Sequence, residues 1–191
     1  MELCVFKTLI SNKFFSLEKS GTQDAHGYFY RLVEPDSVVI LPFDSMGNVY
    51  LVEQFRPAVG KRTLEFPAGA IIRGEAPSVA ASRECLEETG MKCCSLVAVS
   101  GELYCLPNRV KSNLYVYVAL VENAGFGINL VETSLKVCER QVLVMKISSG
   151  LFRHAAGLGG LYLANNFFGF DVLSASTKKL VDSLKAEGDT L

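Results

Sequence analysis

Residues 69–91, GAIIRGEAPSVAASRECLEETGM, constrain this chain more than any other stretch. Three carboxylates, Glu84, Glu87 and Glu88, crowd a segment that begins after Pro77 and ends before Gly90, with Glu75 upstream. Pro suits the first turn of a helix, where its missing N–H is not needed. Gly suits the position past the end, where a left-handed backbone satisfies orphan carbonyls. The spacing therefore predicts a helix over Pro77–Thr89, with Val79, Ala80, Cys85 and Leu86 as the apolar stripe that packs on a sheet. On that helix Glu84 and Glu88 stand four apart on one face, and Glu87 lies nearly on it. Like charges at that spacing destabilise a helix. A hard divalent cation removes the penalty, because such ions take carboxylate oxygens together with phosphate and water. For the RExxEE fragment alone, a solvated face with Arg83 and Glu87 as an ordinary i, i+4 pair remains an alternative. The glycines at 69 and 74 let the preceding loop bring its backbone close to a ligand.

The wider spacing decides between these readings. From Gly69 there are five residues to Glu75, seven more to Arg83, then Glu84, two residues, Glu87, Glu88, one residue, Gly90 and an apolar Met91. This resembles the signature of the Nudix hydrolases at every charged and glycine position. Cys85 stands where that family usually has an aliphatic residue, and a buried cysteine behaves as a small hydrophobe. The likeness extends to the ADP-ribose pyrophosphatase subfamily through VVILPFDSMGNVYLVEQFRP and VEQFRPAVGKRTLEFPAG, and covers roughly residues 5–150.

That resemblance implies Mg²⁺ as cofactor, with Mn²⁺ as a substitute. Metal ligands would be the Ala68 carbonyl, Glu84 and Glu88, with Glu87 bridging or acting through water, and Arg83 orienting the glutamates. Arg56 would contact the diphosphate or the terminal ribose, and Glu65 would hold a loop near the substrate. An ion pair of Arg56 with Glu53 or Glu65, or of Glu65 with Arg56 or Arg62, explains the same residues without a ligand. Pro107 lies sixteen residues past Met91, as in members that hydrolyse ADP-ribose. Those members usually follow the proline with glycine, whereas here Asn108 follows, a residue that tolerates left-handed backbone. Arg109 and Lys111 would add positive charge beside a phosphate-bearing ligand. The catalytic base expected from the subfamily falls on Glu139, with Val142 where a second acid would stand and Glu132 as the fallback. The implied reaction is hydrolysis of ADP-ribose or a related nucleoside diphosphate sugar to a nucleoside monophosphate and a sugar phosphate. The alternatives are another sugar nucleotide, such as a GDP-sugar, and a nucleotide-binding module with weak catalysis.

The remaining sequence predicts an α+β chain. Short strands are expected at 3–10, 14–19 and 27–33, then at 37–43, 49–55, 96–103, 112–121 and 141–147. Residues 150–160 read as glycine-rich and irregular, and 175–187 as a helix. With the resemblance, this becomes an α/β/α sandwich with a mixed sheet over 38–191 and a small antiparallel β extension over 1–37. The extension is a dimerisation arm in the subfamily, which implies a homodimer. A net charge of −1 and the lack of a basic run argue against nucleic acid as a partner. Six cysteines without a CxxC pattern point to reduced thiols in the cytoplasm. The start MELCVFKTLI lacks a basic n-region, so no signal peptide is expected. No apolar run reaches the roughly 18 residues of a spanning helix, so no membrane segment is expected.

Overall fold

Four consecutive residues, Val38, Val39, Ile40 and Leu41, are almost completely buried, which marks a strand covered on both faces. They belong to β4 (Ser37–Asp44) at the centre of the larger of two sheets. The computed structural model describes residues 5–24, 27–125 and 134–190. Before β4 come β1 (Phe6–Ser11), β2 (Ser16–Asp24) and β3 (Gly27–Val33), antiparallel in that order. After it come β5 (Asn48–Arg56), a 3₁₀ turn (Pro57–Val59), β6 (Lys61–Glu65) and β7 (Ala68–Ala70). Then follow α1 (Pro77–Thr89), β8 (Met91–Ala98), β9 (Val110–Lys111), β10 (Leu114–Asn123) and β11 (Ser134–Glu139). The chain ends with α2 (Arg140–Ser148), α3 (Ala155–Phe168), α4 (Thr177–Glu187) and β12 (Asp189–Thr190).

The large sheet runs β11-β5-β4-β10-β8-β12, with β6 added to β5 and β7 to β4. Its β4–β10 pair is parallel and its other pairs are antiparallel, so the sheet is mixed. One face carries α1, where Val38 and Ile40 meet Ala80, Ala81 and Cys85. The other carries the C-terminal helices, where Val39 and Leu41 join Leu161, Ala164, Leu180 and Leu184. The expected α/β/α sandwich is thus present. The N-terminal sheet is antiparallel through β1–β3 and gains a short parallel fourth strand, β9, from the far side of α1.

Helix α1 has the bounds its proline and glycine predict, and Gly90 adopts φ 73° while its N–H donates to the Leu86 carbonyl. The buried stripe is Ala80, Ala81, Cys85 and Thr89, whereas Val79 is 56% exposed. Small side chains, rather than the bulkiest ones, allow this helix to lie close on the sheet.

Two expectations fail in the C-terminal third. Residues 141–147 form most of α2, not a strand; the edge strand is β11, just before them. A short apolar run such as QVLVMKI has no period that separates strand from helix. Residues 150–160 are not irregular throughout, because α3 begins at Ala155. Its glycines are contact points: a Cβ on Gly157 would lie 2.6 Å from Phe66 Cδ2, and one on Gly160 3.0 Å from Leu41 and Val116 side chains. Glycine costs about 1 kcal/mol in a helix interior, here offset by close approach to the core. Gly157→Ala is expected to destabilise the fold by roughly 1–3 kcal/mol through overpacking. A urea midpoint equal to wild type would show that the Phe66 ring yields freely.

Arg140, at the start of α2 and almost buried, donates to the Val172 carbonyl (2.9 Å) and Thr177 Oγ1 (3.0 Å), fastening α4 to the sheet edge. Among the described residues no helix is long and apolar enough to cross a membrane.

Candidate active site

The loop between β7 and α1 is tied to the helix by Arg83. Its Nε and Nη2 donate to the two Glu75 oxygens, both at 2.9 Å, and Nη2 also reaches the Ala70 carbonyl at 3.0 Å. Its Nη1 donates to Glu84 Oε1 at 2.6 Å and to Glu87 Oε2 at 3.4 Å. Glu75 is held down to about 2 by the hydrogen bonds from Arg83 and from the Ile72 N–H, and the same contacts with Glu75 raise Arg83. Arg83 is therefore a positioning residue that fixes Glu84 relative to the loop.

Glu84 and Glu88 project toward β7. Glu88 Oε2 accepts the Ala68 N–H at 2.9 Å. The Glu84 carboxylate lies directly over Gly69, where any Cβ would overlap its Cδ and both oxygens. Burial pushes Glu88 up to about 7, and the neighbouring Glu84 charge adds to the effect. Burial also raises Glu84, against the opposing pull of Arg83. Among the described residues no three His, Cys, Asp or Glu side chains form a ready-made metal cluster, because Glu84 is turned to Arg83 and the Glu87 side chain is 59% exposed. The donor set nevertheless fits a hard cation: the donors are oxygen only, burial raises both carboxylates and the Glu84 charge raises Glu88 further, and a glycine leaves room above the strand.

Beside these carboxylates, Glu65 is buried and accepts Arg56 Nε (2.9 Å) and Nη2 (2.6 Å) and Thr63 Oγ1 (2.5 Å). Burial pushes Glu65 up, but the hydrogen bonds of Arg56 and Thr63 and the Arg56 charge outweigh it, so its carboxyl sits below the usual value. The ion-pair reading of Arg56 and Glu65 is thus the observed one, while Arg62 pairs with Glu53 at 3.3 Å. This leaves Arg56 Nη1 without a protein partner among the described residues. The Arg56 charge also acts on Glu88, which puts the pair at the edge of the carboxylate site.

His154, from the linker before α3, accepts the Phe66 N–H at Nδ1 (3.2 Å), and burial holds its pKa below the usual 6.5. It must be neutral to accept that bond. Its contribution to stability is present above about 6.5 and is lost as pH falls from there through the lower folded value. Urea midpoints measured between roughly pH 7 and 5 should fall less steeply in His154→Gln, which keeps an acceptor but does not titrate. Equal slopes would remove His154 as a source of acid sensitivity.

The other candidates lie elsewhere. Pro107 and Arg109 line a separate cleft of about 670 Å³ with Phe29, Arg31 and Tyr104, between the N-terminal sheet and the start of β10. No described hydrogen bond or ion pair joins either to the α1 glutamates. Glu139 pairs with Asn48 at the opposite end of β5 from Arg56 and is the N-cap residue of α2, without a side-chain capping bond, and no described hydrogen bond or ion pair joins it to the α1 glutamates. The Glu65 partner on β5 is Val52, and the four residue steps from there to Asn48 span roughly 13 Å. Glu132 lies outside the described residues. Thr63 and His154, which support Glu65 and Phe66, have no signature in the linear sequence, and the close approach of Glu84 to Gly69 shows only in the fold.

Residues 33–141 match the family model described as NUDIX domain. A mouse protein named ADP-sugar pyrophosphatase is 61% identical over 44 residues, which are 23% of this chain and 20% of that protein. An ADP-ribose pyrophosphatase of Bacillus subtilis is 32% identical over 85 residues, 44% of this chain and 45% of that one. The chain thus spans less than half the length of these curated relatives. A solved structure described as an ADP compounds hydrolase superposes with a TM-score of 0.70 at 20% identity, covering 86% of this chain and 92% of the other, which is a likeness of fold.

Proposed function

This chain belongs to the Nudix family, and from that premise we propose that it hydrolyses the pyrophosphate bond of ADP-ribose or a related nucleoside diphosphate sugar with Mg²⁺. The observation that carries the proposal is the pair Glu84 and Glu88 on one face of α1, both half-buried and raised by burial, with Glu84 seated over Gly69 and Glu88 on the Ala68 N–H. Relatives named for ADP-ribose and ADP-sugar hydrolysis support the choice of substrate class.

In this reading Glu84 and Glu88 hold the ion with the Ala68 carbonyl and Glu87, and Mn²⁺ substitutes for Mg²⁺. When bound, the ion supplies charge neutralisation at phosphorus and acidifies water. Arg83 keeps Glu84 aimed at the strand, so that the carboxylate need not be ordered when substrate arrives. Glu65 and Thr63 fix the Arg56 guanidinium, whose Nη1 turns to the diphosphate. Such preorganised charge lowers the barrier because no reorganisation is needed as charge develops. The proton of the attacking water passes to Glu139, with Glu132 as the fallback.

We further propose that residues 1–37 form a dimerisation arm on a Nudix domain of residues 38–191. Exposed Phe14, Tyr28, Phe29 and Tyr30 support an arm that pairs with a second copy. Free cysteines among the described residues support the cytoplasm as its compartment. The test is turnover of ADP-ribose, ADP-glucose, GDP-mannose, NADH and a diadenosine polyphosphate, each coupled to phosphatase, with and without Mg²⁺. Preference for ADP-ribose supports the proposal, and preference for GDP-mannose keeps the chemistry but changes the substrate. Tight nucleotide binding without turnover on any compound replaces the enzyme with a binding module.

A further inference from the structure

A second cleft, of about 760 Å³, opens on the other side of the Arg56–Glu65 pair, between the β5–β6 hairpin and the linker from α2 to α3. Its volume is in the range of small-molecule sites. The hairpin contributes Arg56, Lys61, Arg62 and Val59, and the linker contributes Leu151 and Arg153. Four basic side chains therefore face one carboxylate, Glu65, which is already occupied by Arg56 and Thr63. Lys61 has no ion-pair partner among the described residues. Arg153 Nε donates to the Gly150 carbonyl at 2.6 Å, a neutral acceptor that leaves its charge uncompensated. Arg62 pairs with Glu53 at 3.3 Å in a solvent-exposed contact, which offsets little of its charge. Val59 and Leu151, 60% and 66% exposed, flank the opening with apolar surface suited to the face of a ring.

We propose that this cleft seats a phosphate monoester attached to a ring, one of the two halves into which the substrate is cut. The phosphate lies among Lys61, Arg153 and Arg56 Nη1, and the ring lies against Val59 and Leu151. Arg56 is shared with the carboxylate site, so one guanidinium touches both the bond to be cut and the group that remains. In hydrolysis a water oxygen bonds to one phosphorus and the bridging P–O bond breaks, so each half leaves as a monoester. The nature of the ligand rests on the hydrolase reading; the cationic lining does not. Nucleoside monophosphate and sugar phosphate present the same chemistry to the cleft.

Calorimetric titration of the full chain with AMP, ribose 5-phosphate and inorganic phosphate separates the sources. One monoester is expected to bind more tightly than inorganic phosphate, because only the monoesters carry a ring for Val59 and Leu151. Lys61→Ala and Arg153→Ala are each expected to weaken it about tenfold, the loss of one charge-assisted contact. Arg153→Lys should retain most of the affinity, and salt should reduce it in the wild type. Circular dichroism identifies any variant that fails to fold, and Lys61, on an exposed hairpin, provides the arm least exposed to that risk. Unchanged binding in both alanine variants, or no monoester binding at all, overturns the proposal. Variant-sensitive binding in a protein that hydrolyses no nucleotide would retain the cleft and reject the hydrolase. Normal hydrolysis with variant-insensitive product binding would do the reverse.

Discussion

Glu88→Gln is expected to abolish most turnover while making the metal-free protein more stable above neutrality. Loss of outer partners of a metal commonly costs ten- to a hundredfold, so loss of a ligand should cost about a hundredfold or more. The stability effect has the opposite sign. Glu88 sits at about 7 in the fold against an ordinary value near 4.3. A raised carboxyl pKa means that its contribution is fully present below the ordinary value and is lost as pH rises through the folded one. Above pH 7 the protein therefore holds a charge in a site that disfavours it, at a cost of order 3 kcal/mol. Glutamine has the same shape, can still accept the Ala68 N–H and carries no charge. Urea unfolding in EDTA should show a gain for the variant at pH 8 and almost none at pH 4. Loss of stability at pH 8 together with loss of activity would make Glu88 a structural residue.

Gly69→Ala is expected to damage the site without replacing any charged residue. The added methyl overlaps the Glu84 carboxylate, so that group must swing away from β7. Its partner Arg83 is anchored to Glu75 and the Ala70 carbonyl and has little freedom to follow. The backbone at Gly69 is not in the left-handed region, so the effect is steric and local. Turnover at low Mg²⁺ should fall roughly ten- to a hundredfold, the scale for a disturbed metal environment. Because the ligand is displaced rather than deleted, high Mg²⁺ should recover part of the loss, which it should not do in Glu88→Gln. An unchanged Mg²⁺ dependence would show that Glu84 sits over Gly69 without consequence.

Sequence reasoning succeeded where local chemistry determined the outcome. Pro77 and Gly90 bound α1 because the first and last turns have specific backbone needs. The apolar run from Val38 was legible as a strand, and its depth follows from helices on both faces. Failures came where a residue's role depends on a distant partner. Gly157 and Gly160 look like helix breakers until Phe66, Leu41 and Val116 are known to lie against them. His154 supports Phe66 from 88 residues away, a relation no spacing rule encodes. For Arg56 and Glu65 the sequence offered both a mutual pair and a ligand contact. The fold uses the pair to aim Arg56.

The most direct test is the identity of the products when ADP-ribose is incubated with the protein in ¹⁸O-labelled water. Equimolar AMP and ribose 5-phosphate, one of them carrying the label on phosphorus, and complete loss of reaction with EDTA, are expected. Intact ADP-ribose at saturating Mg²⁺, or cleavage to ADP and ribose, would contradict pyrophosphate hydrolysis at Glu84 and Glu88.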